Sequence, residues 1–332
     1  MRRSIFLAGL AAAATTPNPS QAPAEGSSAS GGFSCVRLGY IGNVCEAVTV
    51  TAPSSSAFLS ERLAAHRVHF EREETLVTAL GAGTIDAASM NLPSLIEGLD
   101  RGCKVRVVAG LHTGCMSVLA RDALALYRPA DLKGQTIATD RFNGPAMQLL
   151  MAMLAKQGLD PRHDVRWRAY SADGLDSALQ AHAVNCVAVR DPIAYELQTA
   201  HRAEPFLDSA GGGFSCGEDL ATSHHCFLAL SGGLVERRPA LAAALTRAYL
   251  NGSAAFGGSL DSVQLDAFYG PFRASRGETL GMLASYEWHA STDFVLEELE
   301  LTVRDFQRAG LVRAKSDPMD FARRACAEIQ DV

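Results

Sequence analysis

The chain has 332 residues, of which 48% are hydrophobic and 20% charged, a globular composition large enough to bury a core and divide into two lobes. Few aromatic residues and a mean hydropathy near zero argue against a membrane protein. The formal net charge of −6, without a basic stripe, gives nucleic acid no surface to bind.

At the N-terminus, Arg2 and Arg3 precede a short apolar stretch from Ile5 to Ala14, and Ala22-Pro23-Ala24 fits a small-x-small cleavage site. This is the anatomy of an export signal over residues 1–24, too short to span a bilayer. The paired arginines before Phe6-Leu7 also fit a twin-arginine signal loosely, so the general secretory and twin-arginine routes both stay open. Residues 25–32 are Ser/Gly-rich and read as a flexible tether.

From Cys35 onward, strand-like and helix-like units alternate. Cys35 to Tyr40 and His66 to Phe70 read as strands. Glu73 to Leu80 reads as a helix with Leu76, Val77 and Leu80 on one face, stopped by Gly81 and Gly83. Ile85 to Met90 is a strand, Pro93 opens a helix, and Val105 to Gly110 is another strand. Further strands fall at Thr136–Thr139, Val165–Tyr170 and Cys186–Val189, with helices at Pro145–Gln157 and Gly174–Ala181 between them. Such alternation implies α/β architecture with parallel-type sheets covered by helices. After about position 232 helical patterns dominate, at Pro239–Phe256, Thr292–Ala309 and Pro318–Ile329, and form a helical C-terminal tail.

Four segments carry a resemblance. Leu76 to Ala88 is similar to the "aL-x-aG-x-iDaa" signature of nitrate/sulfonate/taurine-type ABC transporter substrate-binding proteins. Pro129 to Ala138 is similar to their "DLkGktia" segment, Ala178 to Pro192 echoes the first signature, and Leu38-Gly39-Tyr40 matches their opening. In physical terms, Gly81 and Gly83 end a helix, Asp86 caps a turn at a strand edge, and Asp131 to Gly134 form a turn feeding a strand. All of these read as residues of architecture.

The resemblance implies a two-lobed periplasmic-binding-protein fold of type II, shared with thiamine-pyrimidine-synthase-like domains. Residues 33–117 and 224–332 would form lobe 1 and residues 118–223 lobe 2. It implies a periplasmic, monomeric receptor that closes by a hinge motion on a small ligand such as nitrate, a sulfonate or an organic acid. Its partners would be a cognate ABC permease and ATPase, with no membrane contact beyond the permease. Ligand would lie at the carboxyl ends of strands, facing helix N-termini. The expected ligand-binding residues are Tyr40, Asn43, Cys45, Asn91, His112, Thr113, Cys115, Arg141, Asn143, Gly144, Asp191 and His225, with Arg141 the one cation placed in the cleft.

The eight cysteines complicate the choice of ligand. In an oxidising compartment they suggest disulfides, with Cys35–Cys103 and Cys216–Cys326 as candidate pairs, although connectivity is not readable from sequence. Cys186 lies in an apolar strand and reads as a small buried hydrophobe. Cys45, Cys115 and Cys226 fall at expected strand ends, with His112, His224 and His225 beside two of them. Cys45, His112, Cys115, His224 and Cys226 therefore form a candidate set for a metal ion or an iron–sulfur species as ligand. Two adjacent histidines on a strand point to opposite faces, so one of His224 and His225 must turn away. No resident cofactor is implied. A synthase-like enzyme is a further alternative, but the cysteine-rich run of those relatives is missing, as are nucleophile-elbow and phosphate-loop motifs, so no catalytic residues are expected.

Overall fold

The structure is a computed structural model that describes residues 32–121, 126, 128–208, 224–258, 260, 275–313, 315–330 and 332. The expected export signal, all but the last residue of the tether, Cys216 and the site of the proposed cleavage lie outside the described residues. The strands are β1 Ser34–Tyr40, β2 Leu63–His69, β3 Ala87–Asn91, β4 Val105–Thr113, β5 Met116–Ala120, β6 Thr136–Thr139, β7 Arg166–Ala169, β8 Cys186–Arg190, β9 Glu204–Asp208, β10 Cys226–Ser231 and β11 Glu287–Ser291. The helices are α1 Ala47–Thr51, α2 Ser56–Ser60, α3 Glu73–Ala82, α4 Leu92–Asp100, α5 Pro145–Lys156, α6 Ala172–Gln180, α7 Ile193–Thr199, α8 Gly232–Arg237, α9 Pro239–Phe256, α10 Arg276–Ser285, α11 Val295–Arg308 and α12 Pro318–Ala325.

The strands form two sheets. The first has the order β11-β4-β10-β3-β1-β2 and the second β7-β6-β8-β5-β9. Strands joined by helices run parallel, as expected: β1 with β2 and β3, and β6 with β7 and β8. The strands that carry the chain between sheets are antiparallel to their neighbours. β10 lies antiparallel between β3 and β4, and β5 antiparallel between β8 and β9. The outgoing crossing is short. β4 ends at Thr113 and β5 begins at Met116, so Gly114 and Cys115 make the turn. Gly114 has φ +98°, and a Cβ there would stand 3.0 Å from the Tyr286 backbone, so the crossing demands glycine. The chain returns to the first sheet at Cys226, the first residue of β10.

Leu76, Val77 and Leu80 are all fully buried on the inner face of α3, as their spacing predicts. Gly83 caps that helix in the left-handed region at φ +74°. Gly81 does not: it lies inside α3, and a Cβ would sit 3.1 Å from that of Cys103, so close packing accounts for it. Asp86 is likewise not a turn cap. Its carboxylate accepts the Arg37 backbone N–H at 2.7 Å and pairs with the Arg37 guanidinium at 3.0 Å, tying the chain before β3 to β1. Asp131 and Gly134 do shape a turn, with Asp131 accepting the Arg128 N–H and Gly134 at φ +77°.

In the tail, α9, α11 and α12 answer the expected helices. The intervening α10 and β11 were not foreseen. Ser275 and Glu278 form a capping box that starts α10, and β11 pairs with β4. That pairing brings Tyr286 and Trp288 against the end of β4. Among the described residues no helix is long and apolar enough to cross a membrane.

The other side of the crossing is held by His224. Its Nδ1 lies 3.0 Å from a Glu298 carboxylate oxygen, its Nε2 lies 3.1 Å from the His289 carbonyl, and both side chains are almost fully buried. The ring rests on Gly110, where a Cβ would come within 2.3 Å of it. Gly110→Ala is therefore expected to destabilise the protein by about 1–3 kcal/mol, the range for overpacking a core. A lowered denaturant midpoint at unchanged slope would register this.

Candidate functional site

Three thiols meet where the two sheets join. Cys45 comes from the single turn Val44–Glu46 that follows β1, Cys115 from the outgoing crossing and Cys226 from the return. The Sγ atoms of Cys115 and Cys226 are 3.7 Å apart. Ligand atoms of Cys45, Cys226 and His112 all lie within 4.8 Å of one another. His112, at the end of β4, is fully buried. Its Nδ1 faces the Thr113 carbonyl at 3.1 Å and its Nε2 the Cys45 carbonyl at 3.0 Å. Tyr286 stacks on the imidazole at 5.0 Å and Trp288 leans on it at 4.5 Å.

Hydrogen bonds couple the three thiols. Cys115, accepting hydrogen bonds from Cys226 and Cys45, is pulled down to about 5. The same bond to Cys115, seen from the donor, holds Cys45 up at about 12 and raises Cys226 well above the usual thiol range. Burial keeps the His112 imidazole below its ordinary value, against the pull of Cys45.

Two features suited to an anion are occupied by the chain's own acidic side chains. The loop after β1 presents the N–H groups of Ile41, Gly42 and Asn43, and all three donate to the Glu46 side chain, at 3.1, 2.8 and 2.7 Å. Burial, with Cys45 next to it, pushes that carboxyl up to about 8, against the three donors. Across the junction, buried Glu73 at the start of α3 pairs with Arg141 at 3.1 Å and Arg190 at 2.8 Å. Glu73 packs on the first sheet, whereas Arg190 ends β8 and Arg141 follows β6 of the second, so this ion pair bridges the two.

The expected ligand residues separate accordingly. Cys45, His112 and Cys115 come together, with Cys226 beside them. Asp191 is close by: its N–H donates to the Cys115 carbonyl at 3.2 Å, and its carboxylate accepts the Tyr195 N–H in the first turn of α7. Asn91 caps α4 through the Ser94 N–H at 2.9 Å. Thr113 donates to Glu287, and Tyr40 packs on His69 along β2. Asn143, at φ +58°, and Gly144 shape the approach to α5, and the Asn143 carbonyl accepts from Gln148. His225 is buried, its N–H donating to the His112 carbonyl. His224 is not brought to the cluster, because Glu298 and the His289 carbonyl hold its ring. Cys35 and Cys103 are unbridged: Cys35 is exposed on β1, whereas Cys103 packs near Gly81. Cys186 is a fully buried thiol, raised to about 12 by burial, as expected of a small core residue.

Sequence reasoning missed Glu46, Glu73, Arg190, Tyr286 and Trp288. An acid directly after Cys45 in a glycine-containing loop was a readable signal for Glu46. A cavity of about 360 Å³ adjoins the cluster at Gly114 and Asp191, and Tyr195, Gln198, His201 and Ser285 also line it.

Comparison with known proteins identifies the family and the fold. The model of the NMT1-like family matches residues 34–256. No curated protein matches the sequence. Among solved structures, the periplasmic aliphatic sulphonate binding protein SsuA from Escherichia coli is 17% identical, with a TM-score of 0.72 over 90% of this chain and 93% of its own. The periplasmic nitrate-binding protein NrtA from Synechocystis PCC 6803 is 14% identical, with a TM-score of 0.61 over 89% of this chain and 86% of its own. The ligand binding component of an ABC-type import system from Staphylococcus aureus, solved with zinc bound, is 16% identical, with a TM-score of 0.62 over 88% and 98%.

The bridge at Glu73 gives a pH prediction. Burial alone would raise its carboxyl, but Arg190 and Arg141 overcome this and hold it below the ordinary range. Its contribution to stability is thus present above the unfolded value of about 4.3 and is lost as pH falls through the lower folded value. Acid unfolding of the wild type should be steeper below that pH than that of Glu73→Gln. Arg190→Met should cost roughly 2–3 kcal/mol, slightly less than a fully broken buried pair because Arg141 remains. Denaturation midpoints across pH check both.

Proposed function

The chain belongs to the NMT1-like family, and from that premise we propose that it is the extracytoplasmic substrate-binding protein of an ABC importer, which captures a small ligand between its two sheets and hands it to a cognate permease and ATPase. It is a binding protein and not an enzyme. The observation that carries this reading is the junction itself. Two crossings, at Gly114-Cys115 and before Cys226, join two sheets, and chemically distinctive side chains gather between them. Such an arrangement suits hinge closure over a ligand. The names of the neighbouring structures support the role, as do Arg2-Arg3 and the apolar stretch behind them, which fit export to the periplasm by either route.

Two ligand classes compete within this role. A nitrate, sulfonate or organic acid would need cations and free N–H groups, yet Arg141 and Arg190 serve Glu73, and the loop after β1 serves Glu46. The thiols and His112 favour a metal-containing ligand.

The test uses the mature chain carrying Trp167→Phe, so that Trp288 beside His112 is the one fluorophore of its kind. Screened against small anions, organic acids and metal ions, it should show saturable stabilisation by one class, with a matching change in Trp288 emission. A ligand at 100 times its Kd adds about 2.7 kcal/mol. No stabilisation by any member of the panel would overturn the receptor reading.

A further inference from the structure

We infer that Cys45, Cys115, Cys226 and His112 form the binding site of a thiophilic d10 metal ion, of the zinc or copper(I) class, and that this ion is the cargo. The assignment of cargo rests on the receptor reading above; the assignment of a metal site does not.

The donor set argues for this ion first. Three thiols and one imidazole make the Cys3His set that holds zinc tetrahedrally, and thiolates also select copper(I). Spacing argues next. Two thiolates on one zinc, at ~2.3 Å each and the tetrahedral angle, stand ~3.8 Å apart. Cys115 and Cys226 stand 3.7 Å apart, well beyond the ~2.05 Å of a disulfide. The Cys45, Cys226 and His112 ligand atoms lie within 4.8 Å of one another, against ~3.5–3.8 Å for ligands of one tetrahedral ion, so they must draw in to meet it, and Cys115 joins the set through Cys226.

His112 is posed as a ligand. A neutral imidazole carries one N–H, and both ring nitrogens here face carbonyl oxygens. If Nδ1–H donates to the Thr113 carbonyl, as metal-binding histidines commonly donate to backbone, Nε2 presents a lone pair toward the carbonyl of Cys45. At 3.0 Å the two atoms leave no room for an ion between them, so ligation exchanges the Cys45 carbonyl contact for the metal. Tyr286 and Trp288 fix the ring plane.

The setting is also one for a cation. Asp191 adjoins Cys115, while the Arg190 guanidinium is committed to Glu73. Because Cys115 and Cys226 stand on the outgoing and return crossings, an ion between them ties both to the loop after β1. Binding would release the remaining thiol protons and fix the junction.

The experiment starts from mature protein prepared reduced and metal-free, titrated with zinc, with cobalt(II) as a spectroscopic stand-in, and with copper(I). One equivalent should bind, with intense near-ultraviolet thiolate-to-cobalt absorption and a rise in Tm. Bound zinc should protect Cys45, Cys115 and Cys226 from alkylation while Cys35 still labels, a readout that needs no variant. Cys45→Ser, Cys115→Ser and Cys226→Ser should each weaken zinc binding by about 100-fold or more, above the ~10–100-fold that changes outside a ligand set produce. Cys186→Ser, buried but outside the cluster, should leave it unchanged. Absence of the charge-transfer band and of protection overturns the inference, as does metal binding indifferent to the three serine variants, or a Cys115–Cys226 disulfide whose reduction restores no metal binding. A protein that takes no metal but is stabilised by nitrate or a sulfonate sinks the metal site and keeps the receptor; one stabilised by nothing sinks both.

Discussion

A chain that leaves one sheet to build a second must come back, and the two points of passage are necessarily neighbours. That constraint organises this molecule. Here the passage residues are Cys115 and Cys226, 3.7 Å apart at Sγ, with Gly114 making the turn possible where Tyr286 leaves no room for a Cβ. Cys45 joins them because β1 sits in the same sheet as β10 and delivers its following loop to the same end. The cluster is thus a consequence of topology. No local motif could have assembled it, since 70 or more positions separate consecutive members of the thiol trio.

The charge pattern around the junction follows a single logic. At two places where backbone or side chain offers a home for an anion, the chain supplies its own acid: Glu46 in the loop after β1, Glu73 between Arg141 and Arg190. These acids do more than fill space. Glu46 rigidifies the loop that carries Cys45, and Glu73 links α3 to the ends of β8 and of the segment after β6. Between these pairs lies the thiol cluster, its three sulfurs coupled to one another by hydrogen bonds.

Much of the frame was legible in the sequence. The buried trio Leu76, Val77 and Leu80, the stop at Gly83 and the strands from Cys35, Val105 and Cys186 all follow from periodicity and turn chemistry. The failures have physical reasons. Gly81 looked like a stop because a helix-interior glycine serving close packing leaves the same trace as a cap. Asp86 looked like a turn cap because its partner, Arg37, lies 49 positions away. β5, β9 and β11 escaped because such short strands, of five residues each, carry little alternation of their own. In the site, strand-end reasoning found Cys45, His112, Cys115 and Cys226, yet it also named Asn91 and Arg141, whose side chains serve a helix cap and an ion pair. Position along a strand predicts which residues reach the junction; it cannot predict which of them already have work there. His224 shows the same limit, being next to His225 in sequence but turned to Glu298.

The account's central claim is that the sheet junction holds a metal ion through three sulfurs and one nitrogen. X-ray absorption at the zinc edge, on mature protein loaded with one equivalent, tests it most directly. A shell of three sulfurs at ~2.3 Å and one imidazole nitrogen at ~2.0 Å is the predicted result. A shell of oxygen and nitrogen alone, unchanged by Cys226→Ser, would contradict it.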